Sequence, residues 1–399
     1  MRLFLLPLIL FILISLGADF YIYRAIRQRS RLKWLRRAHI ALSALMTTLI
    51  IVAIALPRRG GSDEVLLTDM WLLYGWLTVT LPQLLFVIID LLAKIPQLFG
   101  RRRLKWLSNG GTIISTALFG IMWWGALINR NELHVREVTV EVENLPARFD
   151  GYTIAQFSDA HVGTYGSDTT FVSKMVDRIN GLNADVIVFT GDIVNRHSEE
   201  LTPHTGPLSR LRARDGVYSI LGNHDYGDYR EWPTTEAKED SRRLLDTLQR
   251  GMGWRLLRDE HVWLRRGTDS IVIIGVENIG DKPFPTYGSL MRAYGKSDDK
   301  NTKILLTHNP AHWCDSIDGH SDMKYALTLS GHTHAMQMEV LGWSPAAFRY
   351  PTWGGLYKSS TGQQLYVNIG TGTVGFPARI GATPEITLIK LKRKDKLEK

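Results

Sequence analysis

Asp185-Val186-Ile187-Val188-Phe189-Thr190-Gly191-Asp192 is a short, almost continuous apolar stretch that ends on a glycine and a carboxylate. Such a run suits a strand buried on both faces, as in a sheet covered by helices. Four more segments repeat the pattern. Residues 152–157 lead to Ser158-Asp159-Ala160-His161, and residues 217–221 to Gly222-Asn223-His224-Asp225. Residues 304–307 lead to His308-Asn309-Pro310, and residues 326–329 to Gly331-His332-Thr333-His334.

Five strands that each end in nitrogen or oxygen ligands point to one site, because open α/β sheets bind ligands beyond the carboxyl ends of their strands. Residues i and i+2 of an extended segment face the same side, so Asp159 and His161 can converge on one ion. His332 and His334 have the same spacing and can diverge to two ions if the chain bends. The glycines before Asp192, Asn223 and His332 allow turns closed to residues with a Cβ. Seven candidates, Asp159, His161, Asp192, Asn223, His308, His332 and His334, exceed what one ion of about four to six ligands accepts. They fit two ions sharing a carboxylate. A sulfur-free N/O set suits Mn, Fe, Zn or Co and argues against a calcium-only site or an iron–sulfur cluster.

Around these motifs the chain alternates strands and helices. Val138, Val140 and Val142 alternate with polar residues as in a half-buried strand. Phe171, Met175, Ile179 and Leu182 have helical spacing, and residues 240–249 read as a helix. Residues 271–276, 365–369 and 386–391 read as further strands, which indicates an α/β domain with a mixed second sheet. The basic stretch 390–399 reads as a frayed end. The lone cysteine, Cys314, excludes an intrachain disulfide.

The 399 residues carry a net charge of +9, but unevenly. Residues 1–131 hold 16 Lys/Arg against 5 Asp/Glu, a net +11, and residues 132–399 hold 32 against 34, a net −2. The second part therefore lacks the basic stripe of a nucleic-acid binder. The first part has four apolar runs, at 3–23, 40–56, 70–92 and 112–128. Each is long enough to cross a hydrocarbon core of about 30 Å as a helix. A signal peptide would explain only the first run, and a soluble bundle would show polar faces.

Seven positive residues between Arg24 and Arg37, and Lys94, Arg101, Arg102, Arg103 and Lys105 after the third run, place those two loops in the cytoplasm by the positive-inside rule. Arg58 and Arg59 in the middle loop are offset by Asp63 and Glu64. Everything after Ile128 is then expected on the periplasmic or extracellular side. Asp19 and Asp90, near the ends of their runs, read as interfacial residues rather than an ion path.

The ordered array D-x-H, GD, GNHD, H, GH-x-H resembles the calcineurin-like metallophosphoesterase superfamily over residues 152–389, and within it a membrane-associated branch of phosphohydrolases. The resemblance implies a four-layer α/β/β/α sandwich, preceded here by the four membrane helices. It implies one ion on Asp159, His161 and His334, a second on Asn223, His308 and His332, and Asp192 bridging both. Asn223 would also stabilise phosphoryl charge, His224 would donate a proton to the leaving oxygen, and Asp225 would orient His224. The implied chemistry is hydrolysis of a phosphoester or pyrophosphate by metal-activated hydroxide, with manganese the first choice of metal.

The membrane helices turn the expected partners into a lipid bilayer and a phosphorylated, lipid-linked substrate; oligomeric state is not legible. A UDP-diacylglucosamine pyrophosphatase of lipid A synthesis is the rival enzyme, although its substrate is cytoplasmic. A silent metal-bound receptor or scaffold is the rival from another class, and a transporter is disfavoured by the scarcity of acids in the helices. His197, His204, His261, His312 and His320 read as surface or loop histidines, with His312 the one near the array. Arg196 is a weak candidate for touching phosphate. The aromatic segment from Trp343 to Tyr357 is either a packed closing loop or an amphipathic lip that meets a bilayer.

Overall fold

Four helices account for the apolar runs: α1 (Arg2–Arg29), α2 (Lys33–Ala55), α3 (Asp63–Lys94) and α4 (Lys105–Leu127). All four are long and apolar enough to cross a membrane. The computed structural model describes residues 2–57, 60–281, 285–295, 300–319 and 324–394, with side chains from residue 9 onward. Arg58, Arg59, His320 and residues 395–399 lie outside the described residues. The chain forms two compact units, Met1–Ile128 with Gly375–Ala378, and Asn129–Val374 with Arg379–Lys399.

The helical unit turns Leu13, Phe20, Ile51, Ile88 and Ile113 outward. That arrangement costs nothing where the solvent is hydrocarbon, and helices there associate through close packing and hydrogen bonds. A Cβ on Gly111 would lie 2.8 Å from Ile89 Cγ2, so α3 and α4 touch closely at that glycine. The Tyr74 hydroxyl donates to the Met122 carbonyl at 2.6 Å, and Phe11 meets Trp76 edge to face at 5.2 Å.

Both carboxylates of the apolar runs are buried and partnered. Asp19 accepts from Ser43 Oγ at 2.7 Å, and its carbonyl accepts from His39 Nε2 at 2.9 Å. Asp90 is fully buried and gathers Tyr21 Oη at 2.6 Å, Arg29 Nη2 at 2.8 Å and Lys94 Nζ at 3.6 Å, together with Arg103 and Ser108. Its cationic partners come from the end of α1, the end of α3 and the loop before α4, the two loops whose charge sets the expected orientation. Removing Asp90 would leave those cations clustered and uncompensated. Asp90→Ala is therefore expected to destabilise the detergent-solubilised protein by about 3 kcal/mol, read as a lower unfolding midpoint; an unchanged midpoint would show that the cluster does not hold the bundle.

Among the described residues the second unit contains twelve strands. In chain order they are β1 (His134–Val142), β2 (Thr153–Phe157), β3 (Val186–Phe189), β4 (Val217–Ser219), β5 (Arg255–Leu256), β6 (Glu260–Arg266), β7 (Asp269–Gly275), β8 (Lys303–Leu306), β9 (Leu327–Ser330), β10 (Gly355–Lys358), β11 (Gln364–Val367) and β12 (Glu385–Arg393). They form two six-stranded sheets, ordered β1-β12-β2-β3-β4-β5 and β10-β11-β9-β8-β7-β6. β2 through β5 run parallel, as do β7, β8, β9 and β11, while β12, β6 and β10 supply the antiparallel pairings that make both sheets mixed.

Side-chain alternation builds the layers. Val186 and Val188 join Ile271, Ile273, Ile304 and Leu306 in a core between the sheets. Ile187 and Phe189 face the other way, with Met175 of α5 (Thr170–Gly181) and Leu245; a short α6 (Thr205–Leu208) precedes α7 (Thr235–Gly251), which carries Leu245. Val272, Ile274 and Leu305 back onto Ala293 of α8 (Leu290–Ala293) and Trp313 of α9 (Ala311–Ser316). The result is the expected α/β/β/α sandwich.

Two boundaries differ from expectation. α7 starts five residues early, because the Thr234 hydroxyl caps the Ala237 N–H at 3.1 Å. The basic stretch 390–393 is strand rather than frayed end: it belongs to β12, in register with β1 from Thr139↔Lys390 to Val142↔Arg393.

Candidate metal centre

The strand ends deliver their side chains to one place. Asp159 and His161 follow β2, Asp192 follows β3, Asn223 and His224 follow β4, His308 follows β8, and His332 and His334 follow β9. Asp159, His161, Asp192, His332 and His334 all have positive φ, between 43° and 76°, a costly conformation for residues with a Cβ. Strained backbone at five converging polar residues marks a site whose geometry the surrounding fold over-determines. Gly191 makes this possible: its φ is +96°, and a Cβ there would sit 2.6 Å from the Gly222 nitrogen and 2.8 Å from His308 Nδ1.

Two trios of donor atoms share this place. In the first, His334 Nε2 lies 3.2 Å from Asp159 Oδ1 and 3.1 Å from His161 Nε2. In the second, His308 Nε2 lies 3.1 Å from Asp192 Oδ2 and 3.3 Å from His332 Nδ1, with Asn223 Oδ1 between the rings at 3.1 and 2.8 Å. Asp192 Oδ2 is also 3.8 Å from His161 Nε2, so this carboxylate borders both trios. All seven sequence candidates are therefore brought together.

The outer partners decide which atoms face inward. His161 Nδ1 donates to Asn195 Oδ1 at 3.1 Å, and His308 Nδ1 donates to the Thr190 carbonyl at 2.8 Å. Asn223 Nδ2 donates to Tyr229 Oη at 2.8 Å, and His332 Nε2 shares a hydrogen bond with Tyr350 Oη at 2.9 Å. With those contacts made, the inward-facing atoms can offer lone pairs to cations, and at His308 Nε2 a proton competes for the same place. Burial opposes charge on His308, yet Asp192 and Asp159 outweigh it and raise its pKa to about 9. Burial and the facing His308 push His332 down to about 3. The two carboxylates thus draw positive charge to the middle of the donor set.

His224 stands at the edge. Its Nδ1 donates to the Asn195 carbonyl at 2.6 Å, its ring stacks on Tyr229 at 4.0 Å, and it meets His161 edge to face at 4.8 Å. Asp225 does not orient this ring, contrary to expectation. Its carboxylate accepts the backbone N–H groups of Asp192 (2.8 Å), Ile193 (2.9 Å) and Gly222 (2.9 Å), with Val194 at 3.3 Å. It fixes the loop that carries Asp192 and Asn195, and Asn195 holds His224. Burial and the neighbouring Asp192 push the Asp225 carboxyl up to about 7.

Other expectations need correction. His197, His204 and His312 are buried, not superficial. His204 Nε2 bonds the Gly166 carbonyl at 2.9 Å, and His312 Nδ1 pairs with Thr307 Oγ1 at 2.9 Å rather than with the centre. His261 is the exposed one, its Nδ1 bonded to the Ala293 carbonyl. Arg196 is buried, with Nε 4.0 Å from Glu200. The aromatic segment divides: Tyr350 bonds His332 and Trp353 packs on Ala335, Ile369 and Ala382, whereas Trp343 and Phe348 are exposed.

Sequence reasoning also missed Arg379. It is fully buried and donates to the carbonyls of Gly372, Ile369 and Ala382 at 2.8 to 3.1 Å, with Nη2 3.3 Å from His334 Nδ1. Burial lowers its pKa to about 10. Nothing in its local sequence marks it, because its partners are backbone carbonyls, which have no sequence signature. Asn195 had a faint signal, three residues beyond Asp192.

The description "Calcineurin-like phosphoesterase" matches residues 152–336, and "Probable Calcineurin-like phosphoesterase, transmembrane domain" matches residues 1–130. The chain belongs to the calcineurin-like phosphoesterase family. It is 31% identical over 270 residues to the uncharacterized metallophosphoesterase YkuE of Bacillus subtilis, covering 65% of this chain and 86% of that one. It is 30% identical over 292 residues to a transmembrane protein with metallophosphoesterase domain of Danio rerio, covering 71% of this chain. The chain spans 63% of that relative's length. Among solved structures, a dimetal phosphatase of Danio rerio aligns over 57% of this chain and 90% of its own, at 14% identity and a TM-score of 0.35.

Asn195 orients His161 through its side-chain oxygen and His224 through its backbone carbonyl, so truncating the side chain is expected to loosen His161 and leave the His224 partner in place. Asn195→Ala should weaken divalent-metal binding by about tenfold or more, measured by calorimetric titration of the purified protein. Unchanged affinity would mean that the ring of His161 is set by packing alone.

Proposed function

We propose that this chain is a membrane-anchored phosphoesterase that uses two divalent cations. One would be held by Asp159, His161, His334 and Asp192, the other by Asp192, Asn223, His308 and His332. The observation that carries the reading is the pair of donor trios with Asp192 between them and His224 at their edge. When bound, two such ions supply Lewis acidity towards phosphoryl oxygen and lower the pKa of water. The N/O donor set favours manganese, with iron, zinc and cobalt as alternatives.

The chain's own residues do the rest. Asn223 presents Oδ1 inward because Tyr229 engages its amide nitrogen, so it adds a neutral oxygen donor to the second trio. His224 donates from Nδ1 to the Asn195 carbonyl, so Nε2 is the atom that binds and releases the second proton. Burial lowers its pKa, so the ring acts as an acid only in its minority imidazolium form and then gives its proton readily to a departing oxygen. Asp225 keeps Asp192 and Asn195 in register. His224→Ala is expected to retain the metal stoichiometry while losing on the order of 10²–10⁴ in kcat on an alkyl phosphoester, and less on a p-nitrophenyl ester. Full activity on the alkyl ester would remove this role.

We assign the substrate to lipid-linked or cell-envelope phosphoesters or pyrophosphates, and the catalytic unit to the outer side of the membrane. Support comes from the four membrane-length helices and from the basic residues gathered in the two loops around Asp90. The deciding experiment assays the detergent-purified protein with added Mn²⁺ against phospholipids, lipid pyrophosphates and nucleotide-sugars, with Asp192→Ala as control. Turnover equal in the two proteins would sink the enzyme reading. For orientation, an alkaline-phosphatase reporter fused after Ile128 should be active; activity only of a cytoplasmic reporter there would reverse the assignment.

A further inference from the structure

The segment that follows His334 carries an apolar point at its tip. Val340 and Trp343 bond each other in both directions, Val340 N to Trp343 O at 2.8 Å and Trp343 N to Val340 O at 3.1 Å. The two residues between them, Leu341 and Gly342, have φ of +52° and +79°. Positive φ at both central positions is the signature of a type I′ turn, which selects Asn-Gly or Asp-Gly. A leucine in the first position is strained and would need a packing reason. It has none: Leu341 is 102% exposed. Beside it Val340 is 58% exposed, Trp343 47% and Phe348 85%, with Trp343 and Phe348 edge to face at 5.4 Å.

The tip is firmly mounted on the metal centre. His334, Ala335, Met336 and Gln337 are four consecutive residues with positive φ. Ser344 Oγ bonds the Ala335 carbonyl at 2.5 Å, Glu339 N bonds the Ile380 carbonyl at 2.8 Å, and Gln337 Oε1 accepts from Val374 N at 2.7 Å. At the far end of the segment Tyr350 reaches back to His332. Thus the same rigid loop holds two candidate ligands at its base and an aliphatic and aromatic cluster at its point.

We propose that Val340, Leu341, Trp343 and Phe348 form a bilayer-inserting tip that brings membrane-borne phosphoesters to His332 and His334. A leucine at full exposure with Trp and Phe flanking it is the composition of an interfacial anchor, apolar at the point and aromatic at headgroup depth. The occupant is a bilayer because the chain carries its own: α4 ends at Leu127 and β1 begins at His134, so the connection between them can span about 25 Å at most. The use of the tip rests on the phosphoesterase reading; its insertion does not.

The test uses the full chain in phosphatidylethanolamine–phosphatidylglycerol nanodiscs, on a Cys314→Ser background. An environment-sensitive fluorophore is attached at Leu341→Cys, and in a second sample at Thr361→Cys, an exposed position. The label at 341 should be quenched severalfold more by doxyl-labelled lipid than the label at 361, and severalfold less by aqueous iodide. Equal iodide quenching at both positions overturns the proposal. Shielding at 341 from both iodide and doxyl lipid also overturns it, in favour of a protein partner. Leu341→Asn, which suits the turn, should raise the unfolding midpoint while lowering turnover of a phospholipid severalfold through KM, with a soluble phosphodiester unaffected. Equal loss on both substrates would reject the role in substrate delivery, and absence of any turnover in the unsubstituted protein would reject the enzyme reading while leaving the quenching result to stand.

Discussion

The catalytic unit depends on one carboxylate. Asp192 gives its N–H to Asp225, accepts the His224 N–H on Oδ1 at 2.8 Å, and turns Oδ2 towards His308 and His161. Those contacts come from three strand ends besides its own, so β2, β3, β4 and β8 must arrive in register before Asp192 can satisfy all of them. The strained φ values around it follow from that demand. Ordinary extended backbone would carry these side chains past the point of convergence, and the left-handed residues turn them back. Gly191 and Gly222 let two loops approach within contact where any side chain would hold them apart.

The amino-acid sequence made the inner ring of this arrangement legible and the outer ring obscure, for a physical reason. Asp159, His161, Asp192, Asn223, His308, His332 and His334 are local endings of apolar strands, and short continuous apolar runs announce them. Their partners are non-local. Asn195 acts through its side chain on one histidine and through its carbonyl on another, and a carbonyl has no sequence signature. Asp225 looks like a partner for its neighbour His224, yet its oxygens are consumed by four N–H groups of the two loops. The burial of His204 and His312 was equally hidden, because one ring bonds the carbonyl of Gly166, 38 residues away, and the other an ordinary strand-end hydroxyl, that of Thr307. The sandwich itself was readable from strand alternation, but the insertion of β12 between β1 and β2 was not, since sheet order depends on pairing across more than 200 residues.

The two units obey opposite solvation rules. In the helical unit apolar side chains face outward and the carboxylates of Asp19 and Asp90 are drawn inward to cations and hydroxyls. In the sandwich the carboxylates are drawn to histidines and the apolar side chains are enclosed between layers. The net charge of the whole chain conceals this, because the excess sits where it closes around Asp90 and neighbours the ends of α1 and α3. Treated as separate solvents with separate ledgers of polar satisfaction, lipid and water explain why one sequence of average composition supports both.

The position of β12 also sets a timetable. Residues 385–393 fill the gap between β1 and β2, and the turn before them supplies Gly370, Gly372 and Arg379 against Ser158, Asp159 and His334. During synthesis the four helices emerge and can enter the bilayer long before that strand exists. The first sheet then waits with an open slot beside β2, exposing the unpaired edge of a strand that bears Asp159 and His161. Closure of the slot comes only after residue 393 has been made. The fold thus behaves as a latch set from its far end, and the interval before it engages is when the nascent chain is most open to edge pairing and to the wrong ion.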